Sequence, residues 1–459
     1  MMGFNELISA LSNWLWGWPM RILLFGGGVW LTVSLGFFQF KYCRRILRET
    51  FGKIFSSKKD GEGTISPFQA TTAALASTVG AANIIGVSVA VAFGGPGAIF
   101  WMWVVAAIGC ASKFSEIALG VHYREKNARG EFVGGPMYYL KKGVGGRIGR
   151  WLSLIFSFCL MLEIIPSIAT QSLSVVRSVN ELGVSSIAAG TVLAVLVGLV
   201  VFGGITRIGK VAEVMVPAMA VCFIIGALMV LAVNLSKIPE ALSLIFRSAF
   251  TPAASIGGFG GAGIIATLRW GIARGTYSNE AGMGTAPVAH STAVTDHPCR
   301  QACWGIFEIV ADTMIICTVT GLAIIVSGAW TALPAKDAAT MPLYAFSSVF
   351  GDKIGSTAIS ISLTLFVIST IITLVYYGEK QAEFLFGYRF SLFMRTVYVA
   401  AIFWGALGGL SSLFYVLDIL LAMVIIPNMI GLLTLTPEIK KLKNDYFSGA
   451  MRWREGKFS

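Results

Sequence analysis

Thr78-Val79-Gly80-Ala81-Ala82-Asn83 sits inside a 50-residue run, from Gly63 to Ser112, that contains no Asp, Glu, Lys or Arg. A charge-free run of this kind is a bilayer-crossing candidate, since ~20 apolar residues span the hydrocarbon core as a helix. The run is too long for one crossing, and Gly94-Gly95-Pro96-Gly97 supplies a turn between two helices. The hexapeptide then falls at mid-membrane depth, with a Gly and an Asn where a lipid-facing helix would carry Leu. An interrupted backbone at that depth is tolerated only where it faces protein or a cavity. There the loosened carbonyls can hold a cation and the N–H groups of the resumed helix an anion. The competing reading is a close-packed helix face of small residues. Thr78-Val79-Gly80 also begins like a potassium filter, but Ala81-Ala82 follows where Tyr-Gly is required, so a channel is the lesser alternative.

Further charge-free runs recur along all 459 residues. They predict eleven transmembrane helices, roughly 21–40, 65–93, 97–121, 151–176, 186–204, 211–234, 255–274, 301–327, 354–377, 393–410 and 413–435. Composition agrees: 13% of residues are charged, against about 25% in soluble domains. The runs are continuous and too long for the ~10-residue alternating strands of a membrane barrel. No small-residue cleavage site follows the first span, which reads as a helix rather than a signal peptide. The chain is therefore expected to be an all-α polytopic membrane protein.

The net charge of +12 follows topology. Of the basic residues, 28 fall in segments after odd-numbered helices or in the tail, and six on the other side. This predicts a multi-pass protein of the cell (inner) membrane, with the N-terminus outside and the C-terminus cytoplasmic. It also removes the nucleic-acid reading of a basic chain. Without the first helix, ten remain. They divide into five-helix blocks, 65–234 and 255–435, flanked by residues 1–64 and a basic tail, 436–459. The blocks start on opposite sides of the membrane, the inverted repeat characteristic of secondary transporters.

If the first block opens on a broken helix, the second should too. Its first helix is rich in Gly257, Gly258, Gly260, Gly261 and Gly263, then Gly271 and Gly275, and either cluster is a candidate break. Residues 258–263 spell a dinucleotide fingerprint, rejected because no strand precedes them. Enzyme motifs are missing: there is no G-x-S-x-G, H-E-x-x-H or P-loop. Ionisable residues at membrane depth are functional candidates by default. Lys113 and Glu116, three apart, are expected to pair with each other. Glu308 and Asp312 share a helix face. Glu280 falls in what reads as a cytoplasmic loop, as a helix cap or an inward-gate lock.

Several motifs carry a resemblance. Gly94-Gly95-Pro96-Gly97-Ala98-Ile99-Phe100-Trp101-Met102-Trp103 resembles the signature of the alanine/glycine:cation, or sodium:alanine, symporter family. Val133 through Tyr139, Gly203-Gly204-Ile205 through Glu213, Tyr277 through Gly284 with His290, and Tyr376 through Lys380 are similar to further family motifs in the same order. The likeness covers about residues 20–440. It implies the amino acid/polyamine/cation superfamily and its five-plus-five inverted repeat of the leucine-transporter (LeuT) type, with one extra N-terminal helix. It also implies import of a small neutral amino acid such as alanine or glycine. Sodium would be the coupling ion; no other cofactor is implied. The expected partners are the amino acid, sodium and the lipid bilayer.

No Arg lies near 78–83 in sequence, so the substrate carboxylate is expected at backbone N–H groups of Gly80, Ala81, Ala82 and Asn83. The resemblance adds Asn83, Gln171 and Thr370 as substrate contacts, with Leu374 on the pocket wall. By the same analogy, sodium would use the carbonyls of Ala76 and Val79 and the hydroxyls of Ser369 and Thr370. Those hydroxyls have a competing use, bonding back to their own helix. A proton-coupled alternative would use Asp312. Three departures from the family pattern stand near the expected pocket: Ala81-Ala82 for Thr-Gly, Leu173 for Asn, and Thr373-Leu374 for Gly-Trp. They imply a pocket altered in size and more apolar.

Overall fold

The computed structural model describes residues 4–54, 61–180, 183–251, 263–408 and 411–449. Among them, seven helices are long and apolar enough to cross a membrane: Ala98–His122, Gly146–Asn180, Gly204–Val233, Pro298–Val326, Asp352–Phe386, Tyr388–Leu407 and Tyr415–Thr434. Pro67–Thr78 followed by Ala82–Gly94, bent by 53°, is long and apolar enough for an eighth when the pair is taken as one broken span. These coincide with eight of the predicted spans. The other three are shorter or partly outside the described residues. Span 21–40 is divided into Trp18–Arg21, a π turn Ile22–Gly26 and Gly27–Ser34. Span 186–204 is the 16-residue helix Ser186–Val201. Span 255–274 is represented by Ile264–Asn279, and Gly257, Gly258, Gly260 and Gly261 lie outside the described residues.

Each break has a local cause. Pro67–Thr78 starts on a capping box, with the Ser66 hydroxyl on the Gln69 N–H and the Gln69 side chain on the Ser66 N–H. It stops because Val79 leaves helical geometry at ψ 87°. The long helices Gly146–Asn180 and Asp352–Phe386 pack against each other at the centre of the bundle, and Pro67–Thr78 packs on the latter and on Gly204–Val233. Lipid-facing surfaces remain apolar: Val221, Ile225 and Leu228, at helical spacing on Gly204–Val233, are all exposed.

The stretch after Ile264–Asn279 is packed inside the protein. Residues 281–293, expected in a cytoplasmic loop, are buried throughout. The helix ends at Asn279, the chain turns, and a short helix Ala286–His290 follows. The turn uses the left-handed region three times: Glu280 at φ 53°, Gly282 at 92° and Gly284 at 78°. The glycines adopt it at no steric cost, whereas Glu280 is an uncommon non-glycine case. So the described part of the second half is interrupted at Glu280–Thr285. Gly271 and Gly275, one candidate break, lie within the continuous helix. Arg269 and Arg274, counted with loop charges, also stand on that helix.

Candidate transport site at two helix breaks

The two interruptions meet. Asn83, in the π turn Ala82–Gly86, is fully buried. Its Oδ1 accepts the Gly80 N–H at 2.9 Å, the donor that an unbroken helix would direct at the Ala76 carbonyl. Its Nδ2 donates to Asp312 Oδ1 at 2.6 Å and lies 3.3 Å from Ser278 Oγ. The other Asp312 oxygen accepts from Ser278 Oγ at 2.8 Å and Thr313 Oγ1 at 2.7 Å. Asp312 lies in a π-helical segment, Val310–Cys317, a widened turn of the kind common at functional sites. One junction thus joins the first break, the helix before the second break, and the next membrane helix. Ser77 extends it, with its hydroxyl 3.4 Å from both Glu280 Oε2 and Tyr377 Oη. Glu280, the C-cap of Ile264–Asn279 as one of the two sequence readings had it, in turn accepts from Thr285 Oγ1 at 2.5 Å.

Of the expected sodium ligands, Thr370 stands against the same break. A Cβ on Gly80 would stand 2.8 Å from Thr370 Oγ1, so these two residues are in direct apposition. Ser369 and Thr370 both donate to the Phe366 carbonyl at 2.8 Å, the helix back-bonding weighed above. A donated hydroxyl proton leaves oxygen lone pairs available to a hard cation. Ala76 and Val79 are buried on either side of the end of Pro67–Thr78, and the Gly80 N–H has left the Ala76 carbonyl. No basic side chain among the described residues is hydrogen-bonded to residues 79–83.

Other expected residues are placed less centrally. Ala81 and Ala82 are half-buried. Gln171 is half-buried, and its Oε1 meets no donor among the described residues. No hydrogen bond ties it to the break. Leu173 and Leu374 are buried. Thr373, read as a pocket departure, donates to the Ala73 carbonyl at 3.0 Å and ties its helix to the broken one. The expectation of no nearby arginine holds in sequence only. Arg274 Cδ lies 4.0 Å from where a Cβ on Gly86 would stand, and its buried Nε meets no acceptor among the described residues.

Lys113 and Glu116 do not pair with each other. Lys113 Nζ pairs with Glu308 Oε1 at 2.9 Å and donates to the Asn279 carbonyl at 3.0 Å. Glu116 accepts from the Gly284 N–H and from Asn428. Sequence reasoning missed these partners, and it missed Ser278 and Thr313. A separate cleft, with room for about one water molecule, lies between Leu24, Phe25, Gly109, Asn279 and Ala281, and its lining does not include Asn83.

The model of the sodium:alanine symporter family matches residues 1–458. The uncharacterized transporter YflA of Bacillus subtilis (strain 168) is 49% identical over 443 residues, covering 96% of this chain and 93% of its own. The sodium/alanine symporter AgcS of Methanococcus maripaludis is 39% identical over 441 residues, covering 95% of each. Among solved structures, MhsT in complex with L-phenylalanine superposes with a TM-score of 0.59 at 13% identity, over 86% of this chain and 91% of that one. A sodium-coupled sialic acid symporter gives 0.50 at 11% identity, over 94% and 86%. At such identities the likeness speaks for the fold, which is the LeuT type.

Proposed function

This chain belongs to the sodium:alanine symporter family, and from that premise we propose that it imports a small neutral amino acid together with sodium by alternating access. The observation that carries the reading is the junction of Asn83, Asp312 and Ser278, where both helix breaks meet beside Gly80 and Thr370. Substrate would bind at Gly80–Asn83, with the carboxylate on backbone N–H groups of the resumed helix. The ammonium would meet carbonyls released by the break, with Gln171, whose Oε1 meets no donor among the described residues, as a further substrate contact. Sodium would take the carbonyls of Ala76 and Val79 with the hydroxyls of Ser369 and Thr370, an oxygen set suited to a hard cation.

The reading includes two inverted repeats, 65–234 and 255–435, with the N-terminus outside and the tail in the cytoplasm. The two breaks support it, since each lies in the opening helix of a half. With Leu173 and Leu374 in place of the family's Asn and Trp, the pocket accepts a neutral amino acid other than, or in addition to, alanine and glycine. Competition against labelled alanine tests this: inhibition by larger neutral amino acids is expected, and strict alanine/glycine selectivity would defeat it.

Asp312 favours a second reading, proton coupling, because the carboxylate touches the expected substrate contact Asn83 directly. Uptake into proteoliposomes under an imposed sodium or proton gradient separates the two. Sodium-stimulated accumulation at fixed pH supports the main reading. Proton-driven uptake without sodium supports the second, and downhill flux with neither indicates a channel.

A further inference from the structure

The two breaks differ in what their loose ends meet. At the first, the partners are neutral side chains and one shared carboxylate: Asn83, Ser278, Thr370 and Asp312. At the second, both sides are met by charges from one turn of the helix Ala98–His122. The Asn279 carbonyl, at the end of Ile264–Asn279, accepts from Lys113 Nζ at 3.0 Å. Across the turn, the Gly284 N–H donates to Glu116 Oε1 at 2.9 Å. Asn428 fastens the same turn, donating to Glu116 Oε1 at 2.6 Å and to the Gly282 carbonyl at 2.8 Å. Lys113 and Glu116 are three residues apart, so they stand on one helix face and reach opposite sides of the break.

The charges are balanced in depth. Lys113 pairs with Glu308 at 2.9 Å, the other Glu308 oxygen lies 3.2 Å from His290 Nε2, and His290 Nδ1 is 2.8 Å from the Gln301 amide. Lys113, Glu116, His290, Glu308 and Asn428 are all fully buried. Carbonyls at a helix C-terminus carry partial negative charge and favour a cation, and freed N–H groups favour an anion. A break in a transporter helix receives these from solution; this one has them covalently attached.

Resting on the sodium-coupled reading above, we propose that Lys113 and Glu116 are resident charges of the second break, so that no transported ion binds between the Asn279 carbonyl and the Gly284 N–H. Lys113 acts as a positioning residue in the place of an ion and never leaves. Removing its ammonium would leave the Asn279 carbonyl and the Glu308 carboxylate facing a space that a free cation can enter.

The test compares sodium activation of uptake in proteoliposomes for the wild type, Lys113→Ala and Lys113→Met. Lys113→Ala opens the space and is expected to acquire one more sodium, with the Hill coefficient rising by about one and half-saturating sodium rising about tenfold, as oxygen ligands without their cation recruit one from solution. Lys113→Met fills the space without charge and is expected to show no rise in Hill coefficient. Lys113→Ala with wild-type sodium activation, or folded but inactive at every sodium concentration, overturns the proposal. Where Lys113→Ala fails to fold, the charge-balanced Lys113→Met/Glu308→Gln double variant carries the test. A wild-type Hill coefficient supports the proposal, and a raised one overturns it. A wild type whose uptake ignores sodium refutes the sodium reading itself, a result separable from any difference between variants.

Discussion

Gly80 has a side chain of no size because Thr370 is where that side chain would be. A methyl group there would sit 2.8 Å from Oγ1. Gly80→Ala must displace either the broken helix or Thr370, and overpacking of this kind costs about 1–3 kcal/mol. The expected outcome is uptake reduced by about tenfold or more, since each 1.4 kcal/mol at a binding site is about a factor of ten. Initial rates at saturating sodium measure it; wild-type rates would remove Gly80 from the site. Thr370 and Ser369 make a complementary prediction. Their hydroxyls donate to Phe366 and keep lone pairs for a cation. Thr370→Ala should therefore raise half-saturating sodium several-fold with the protein still folded, whereas a purely structural back-bond would leave sodium activation unchanged.

Among the elements, the helices Asp352–Phe386 and Tyr388–Leu407 are joined by a buried ion pair. Arg395 meets Glu379 through Nη2–Oε1 at 2.6 Å and Nε–Oε2 at 3.1 Å. Arg395→Met would strand the carboxylate, which costs about 3–5 kcal/mol for a buried pair broken on one side. Thermal unfolding in detergent should show a marked drop, largely restored by adding Glu379→Leu. The elements also show what was legible in the sequence. The first break was readable because a Gly and an Asn inside a charge-free run form a local signal. The second was not, because Glu280 beside it resembles loop chemistry. What makes that segment an interior one is a lysine 166 residues away in sequence. The eight long or broken spans were legible from composition alone. The Asn83–Asp312 contact, 229 residues apart, was not. Asn83 and Asp312 were each singled out for their polarity at depth, but as rivals under two mechanisms rather than as neighbours.

At the scale of the whole molecule, the tail helix Thr436–Ser448 folds back under the bundle. Arg45 donates to the Tyr446 and Phe447 carbonyls at 2.9 and 3.0 Å, Lys443 to the Leu35 carbonyl at 2.9 Å, and His297 lies 3.3 Å from Asp445. Burial holds the His297 imidazole below its ordinary value, against the pull of Asp445 and Asp296, with Arg300 acting in the same direction as burial. The folded protein thus binds the proton less readily than the unfolded chain. Stability is expected to fall as pH drops below about 6.5, the ordinary histidine value, toward the lowered native one. Melting curves across that window, with a shallower slope in His297→Asn, check the sign.

The central claim is that amino acid and sodium meet at the first break. Equilibrium binding of a labelled small neutral amino acid to purified protein, over a series of sodium concentrations, tests it most directly when run beside Asn83→Ala. The account predicts sodium-dependent binding in the wild type and none in the variant, with the variant still folded. Binding that is equal in both proteins, or that needs no sodium, would contradict it.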